Sequence, residues 1–224
     1  MIAQWLNTTF AGFDYTILEF WHNAALMAGF VLEPVMDFFS IIGDNGYFGF
    51  ALAFLLMLFK KTRKIGVCIV FSIGVGALIT NITLKELIAR PRPFQSEVED
   101  FRLWWEYAGM SSVSEFSFPS GHVTAAMATA TGLCLSVIGK WRWLIAPSVL
   151  YVAVMMAARN YLMVHYPTDV VAGVIVGAIG GVAAFFAVKG IYCLIEKYSN
   201  KKLFRFILEF DLLNIFKKRR EETK

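Results

Sequence analysis

Between Ile65 and Leu84 the chain runs for 20 residues without a charged side chain. About 20 helical residues cross a hydrocarbon core of roughly 30 Å, so this run predicts a transmembrane helix. Comparable apolar runs occupy Phe39–Phe59, interrupted early by Asp44, then Val123–Ile138, Trp143–Ala158 with an extension to Val164, and Val170–Val188. The expected fold is an all-α integral membrane bundle of five spans. Asp14–Pro34 is apolar in places yet carries Glu19, His22, Asn23 and Glu33, which favours an amphipathic helix in the interface over a sixth span. After Lys197, Leu203, Phe206, Ile207, Phe210 and Leu213 recur at helical spacing ahead of the basic cluster Lys217, Lys218, Arg219 and Arg220. They predict a basic amphipathic tail along the inner leaflet. The pattern divides the chain into an N-terminal helix over residues 1–34, a membrane domain over 35–198 with a long loop at 89–119, and a tail over 199–224.

Composition agrees: 58% of the 224 residues are hydrophobic and 17% charged, far from the balance of a soluble domain of this length. No Lys or Arg precedes Lys60, so the charged start of a cleaved secretory signal is lacking, and the N-terminal helix is expected to be retained. Cys68, Cys134 and Cys193 lie in or beside separate apolar segments without CxxC spacing, predicting neither disulfide framework nor metal site. Gly173, Gly177 and Gly181 repeat every four residues. Such a stripe lets helices approach closely within a chain or between chains, and leaves the oligomeric state open.

Charge orients the bundle. One set of loops and ends holds 16 of the 21 Lys and Arg residues, including Lys60, Lys61, Arg63, Lys64, Lys140, Arg142 and the tail. The opposite side holds Lys85, Arg90, Arg92, Arg102 and Arg159. Positive loops stay in the cytoplasm, so the sparse side is expected to face out of a bacterial-type plasma membrane, with the C-terminus inside. The basic tail is read as a membrane flank; no nucleic-acid partner is expected.

On the sparse side the ionisable residues converge. The end of the second span brings Lys85 and Arg92, the start of the third Ser120, Gly121 and His122, the end of the fourth Arg159, and the start of the fifth His165 and Asp169. Three cations offer charge and planar donors to phosphate oxygens. Ser120, as N-cap ahead of an apolar run, sets His122 at a helix mouth whose free N–H groups suit an anion. The two imidazoles can act as acid, base or nucleophile. Pro167 predicts that the fifth helix starts near it, with Asp169 in the first turn where it could accept the Nδ1–H of His165. Plainer readings exist for each residue alone: a lysine snorkelling at a span end, a core histidine, a capping aspartate. Arg90 and Arg102 are read as anchors of that kind, and Trp104, Trp105 and Tyr107 as either a holder of the site's loop or an interfacial aromatic belt.

The chain resembles the type 2 phosphatidate phosphatase superfamily, in its membrane lipid phosphatase branch. "KELIARPRP" fits K-x6-RP, "PSGH" fits outright, and "RNYLMVHYPTD" fits R-x5-H-x3-D. The resemblance implies that Lys85, Arg92, Ser120, Gly121 and Arg159 bind phosphate, that His122 protonates the leaving alkoxide, and that His165 is the nucleophile, forming a phosphohistidine and oriented by Asp169. It implies no cofactor and no metal. Ala158 stands where the family's third motif usually has serine, which removes a hydroxyl contact. The implied substrate is a membrane lipid phosphate or diphosphate. Undecaprenyl diphosphate is the first choice; phosphatidylglycerol phosphate, phosphatidate, lipid A phosphates and transfer to another acceptor are the alternatives. A vanadium haloperoxidase and a non-enzymatic transporter or assembly subunit are the readings from other classes.

Overall fold

The computed structural model describes residues 1–111, 113, 115–137 and 139–213. It is all-helical among these residues. Four stretches are long and apolar enough to cross a membrane: Ala11–Met57, Arg63–Gln95, Arg142–Tyr161 and Pro167–Lys197. The protein is a multi-pass membrane protein. Its outer surface is paved with exposed apolar side chains such as Phe54, Phe71, Ile175, Ile179 and Phe186, as lipid contact requires.

A short helix α1 (Ile2–Thr9) leads into α2 (Ala11–Gly43). Helix α2 bends at Ala28, whose φ/ψ of −145°/26° is non-helical; Pro34, whose missing N–H frees the Phe30 carbonyl, lies just beyond. Before the bend, α2 lies over the loops at one end of the bundle. Leu18 is buried against Phe101, Trp104, Met163 and Tyr166, and His22 stacks on Trp104 with ring centroids 5.2 Å apart. After the bend it runs antiparallel to the stretch Arg142–Tyr161, with Gly29 beside Tyr161 and Gly43 against Met155 and Tyr151. It stops at Asp44–Gly46, where Asn45 and Gly46 take positive φ values of 48° and 73°. Left-handed residues end a helix. Helix α3 (Tyr47–Met57) continues towards the basic end.

Helix α4 (Arg63–Ala77) widens into a π-helical segment, Leu78–Leu84, before α5 (Lys85–Ile88). The loop that follows carries α6 (Glu99–Tyr107). There Trp104 is buried beneath Leu18 and Trp105 stacks on Phe94 at 4.4 Å, while Tyr107 is exposed. The two tryptophans therefore pack the loop rather than form a belt.

The core is a trio: α4, α7 (Gly121–Ser136) and α9 (Pro167–Lys197), with α8 (Ile145–Tyr161) against α7 and α2. The glycine stripe makes the close approach of α9 to α7. A Cβ on Gly173 would sit 2.8 Å from the Ser120 carbonyl oxygen, one on Gly177 2.5 Å from that of Thr124, and one on Gly181 2.5 Å from Thr131 Cβ. Backbone cannot yield as a flexible side chain can. Gly177→Val is therefore expected to cost about 1–3 kcal/mol by overpacking, read as a lower unfolding midpoint in detergent, whereas Gly190→Val, in open space, should leave the midpoint unchanged.

Helix α10 (Lys202–Glu209) folds back under the basic end. Leu208 packs beside Cys68, Val188 and Tyr192, and the Leu212 N–H donates to the Leu58 carbonyl at 3.1 Å. Leu203, Phe206 and Leu213 stay exposed. The basic cluster at 217–220 lies outside the described residues.

Candidate active site

A cavity of about 840 Å³ opens among the helix ends on the sparse side, and Lys85, Arg92, Gly121, His122, Arg159 and His165 all line it. Lys85 follows the π segment, a local widening often found at functional sites. Its ammonium is buried and pairs with the carboxylate of Glu115. That interaction pulls the Glu115 carboxyl below its ordinary pKa. Arg92 is fixed by its surroundings: Nε donates to the Glu115 carbonyl at 2.8 Å and NH1 to the Val164 carbonyl at 2.7 Å. Its NH1 also lies 3.3 Å from His165 Nε2. Arg159, from the last turn of α8, donates to Ser40 Oγ at 2.6 Å, and its Nε has no hydrogen-bond partner among the described residues.

Ser120 is the N-cap of α7, with extended φ/ψ of −68°/112°. Its Oγ is buried and without a hydrogen-bond partner among the described residues. A Cβ on Gly121 would stand 3.1 Å from Asn81 Oδ1 and 3.8 Å from Lys85 Nζ, so glycine lets the helix mouth close on the cationic cluster. His122 enters the cavity beside Asp44, with Nε2 3.6 Å from Oδ1.

His165 sits in the turn between α8 and α9 and is 1% exposed. Burial first, then the charges of Arg92, Arg159 and Lys85, hold its pKa well below the ordinary imidazole value, which keeps the ring neutral. The expected hydrogen bond from its Nδ1 to Asp169 is not formed. Nδ1 lies 3.7 Å from Asp169 Oδ2 and has no hydrogen-bond partner among the described residues. The reason is competition: Asp169 accepts from Arg90 NH1 at 2.6 Å, from the Tyr166 backbone N–H at 2.9 Å and from the Ser117 hydroxyl.

Arg90 corrects the reading of it as an anchor. It is fully buried and donates to Asp169, to Asp14 at 2.9 Å, to Thr168 Oγ1 at 2.7 Å and to Asn7 Oδ1 at 2.7 Å, with its guanidinium 3.7 Å over the Tyr166 ring. Asp14 in turn accepts the Thr168 backbone N–H at 2.9 Å. Helix α2 is thus tied to the first turn of α9 through a buried cation that holds the carboxylate beside His165. Arg102 does fit the surface reading, exposed and 3.9 Å from Glu99 and from Glu106. The sequence reading also passed over Ser40, Asp44 and Glu115. Asp44 did leave a signal, an acidic residue inside an apolar run, where an ionisable group needs a cavity or a partner.

Cationic side chains, a helix mouth and two imidazoles thus share one cavity at the end of a membrane-protein helix bundle. The chain belongs to the PAP2 superfamily, whose sequence profile matches residues 65–192. Among curated relatives it is 30% identical over 147 residues to an undecaprenyl-diphosphatase of Sulfolobus acidocaldarius, covering 66% of each chain. It is 30% identical over 161 residues to a lipid A 4'-phosphatase of Bacteroides thetaiotaomicron, covering 69% of this chain and 70% of the relative. Its fold resembles the crystal structure of Aquifex aeolicus LpxE, with a TM-score of 0.57 and 25% identity over 75% of this chain and 93% of the other. It also resembles that of the phosphatidylglycerolphosphate phosphatase of Bacillus subtilis, with a TM-score of 0.60 and 24% identity over 85% and 90% of the chains.

Proposed function

We propose that this protein hydrolyses the terminal phosphate of a membrane lipid monophosphate or diphosphate through a phosphohistidine on His165. The convergence of Lys85, Arg92, Arg159, the Ser120–Gly121 helix mouth, His122 and His165 on one cavity carries the reading. The neutral His165 attacks the terminal phosphorus through Nε2, the nitrogen facing Arg92, and the bond from that phosphorus to the lipid oxygen or, in a diphosphate, to the bridging oxygen breaks, releasing the lipid alkoxide or the lipid monophosphate. His122 gives its proton to the departing alkoxide or, from a diphosphate, to the departing phosphate. Water activated by His122 then attacks the phosphohistidine and releases inorganic phosphate. Charge gathering on the phosphoryl oxygens meets donors already in place, so little reorganisation is needed. Binding phosphate requires Lys85 to exchange the Glu115 carboxylate for a phosphate oxygen. Asp169, 3.7 Å from His165 Nδ1, comes into hydrogen-bonding range when the site closes on substrate, since apo contacts of this kind are often long.

Undecaprenyl diphosphate is the first substrate to test, supported by the Sulfolobus relative; lipid A phosphate, supported by the Bacteroides one, is second. Phosphate release by the purified protein from a panel of lipid monophosphates and diphosphates decides between them. Three fixed cations take the part that a divalent ion would otherwise take, so EDTA should leave turnover unchanged and vanadate should inhibit. Loss in EDTA that a divalent ion restores would overturn this metal-free reading. With the His165 pKa depressed, the acid limb of kcat/KM should fall below the ordinary imidazole value of about 6.5, once the substrate's own ionisation is divided out.

The site is assigned to the extracytoplasmic face and the C-terminus to the cytoplasm, on the bias of basic residues. In a background lacking the native cysteines, Glu97→Cys should react with an impermeant thiol reagent in intact cells and Lys60→Cys should not. Both side chains are exposed. The reverse pattern would put the site in the cytoplasm.

A further inference from the structure

We infer that Asp44 is a positioning residue for His122, orienting the imidazole and favouring its protonated form for expulsion of the lipid alcohol. The inference rests on the role proposed for His122 above. Asp44 lies where α2 breaks, inside the stretch Ala11–Met57 that is long and apolar enough to cross the membrane. Non-helical backbone and a carboxylate at that depth are costly and occur where they line a cavity. Asn45, a residue other than glycine, takes left-handed backbone there, and such outliers tend to mark working parts of a protein.

The geometry points the carboxylate at the imidazole. Asn45 Nδ2 donates to Asp44 Oδ2 at 3.1 Å, which leaves Oδ1 facing His122 Nε2 at 3.6 Å. Asp37, Ser40, Ile41 and Asp44 line the cavity from one face of this helix end. The other charged groups around the cavity are Lys85 from α5, Arg92 from the loop after it, Arg159 from α8, and Glu115, already paired with Lys85; His165 is neutral. The cations that suit a phosphate all oppose an imidazolium. Burial first, then Arg159, His165 and Lys85, push the His122 pKa down to about 2 in the substrate-free site, with a backbone contact at Ser40 opposing them; Asp44, the carboxylate 3.6 Å from the ring and half-exposed to the cavity, counters those cations in part. In the step itself the His122 proton passes to the alkoxide oxygen as the P–O bond breaks, the ring becomes neutral, and Asp44 keeps its charge.

Asp44→Asn keeps the shape and removes the charge. For a lipid monophosphate, kcat should fall about tenfold or more with little change in KM, and the alkaline limb should move down by about one pH unit. An activated aryl phosphate, whose leaving group needs little protonation, should be turned over nearly as before, which also reports that the variant is folded. Asp44→Glu should recover part of the loss. Independently of turnover, ring-labelled histidine can be followed by NMR in the substrate-free protein. Only His22, His122 and His165 contribute, and His122→Gln assigns the signal. Its titration midpoint should fall by about one unit in Asp44→Asn. An unmoved midpoint, or equal losses on alkoxide and aryl substrates, overturns the assignment; a wild-type protein that releases no phosphate from any lipid overturns the proposed function and leaves the titration to decide the Asp44–His122 pairing.

Discussion

His165→Ala is expected to lower phosphate release by roughly four orders of magnitude or more, because the proposed phosphohistidine forms on that ring, beside Arg92, and members of a cooperating set fail together. Burial and neighbouring cations hold the ring neutral, so Nε2 keeps a lone pair that needs no general base once bound phosphate draws Arg92 NH1 away from it. Rapid quenching with labelled substrate should trap phosphate on the wild-type protein and none on the variant. Full activity of purified His165→Ala would overturn the nucleophile assignment. Asp169→Asn should leave a small remainder of activity, and it should also lower stability, since the same carboxylate is a partner of buried Arg90.

Arg90→Met is expected to be strongly destabilising. It would leave Asp14 and Asp169 buried without their shared counter-charge, and breaking a buried pair from one side costs about 3–5 kcal/mol. Arg90→Lys should recover only part, because one ammonium cannot reach Asn7, Asp14, Thr168 and Asp169 from a planar fork. Arg102→Ala is the contrast: exposed and loosely paired, it should change stability by less than about 1 kcal/mol. Thermal unfolding in detergent compares the three. A midpoint for Arg90→Met equal to that of Arg102→Ala would remove the buried network from the account. Because Arg90 also holds the carboxylate beside His165, turnover in the surviving Arg90→Lys protein should fall as well.

The sequence by itself determined the solvent, the helical class and the set of ionisable residues that share one cavity. Apolar run length answers to bilayer thickness, which any stretch of chain meets locally. The face shared by Lys85, Arg92, His122, Arg159 and His165 followed from counting crossings, because alternate helix ends must lie on the same side. Tertiary structure alone decided what each buried charge is paired with. Local sequence gives Arg102 its partners, Glu99 and Glu106 on its own helix, but none for Arg90, which is enclosed by Asp14 and Asp169, some 76 and 79 residues away. The same holds for Asp169, whose spacing from His165 suits a hydrogen bond but whose oxygens, 3.7 Å away, are occupied by Arg90, Ser117 and the Tyr166 backbone in the substrate-free site, and for Asp44, an acid within an apolar run that the broken helix sets beside His122. Hydropathy is a sum along the chain, whereas the pairing of a buried charge depends on which distant atoms reach it first.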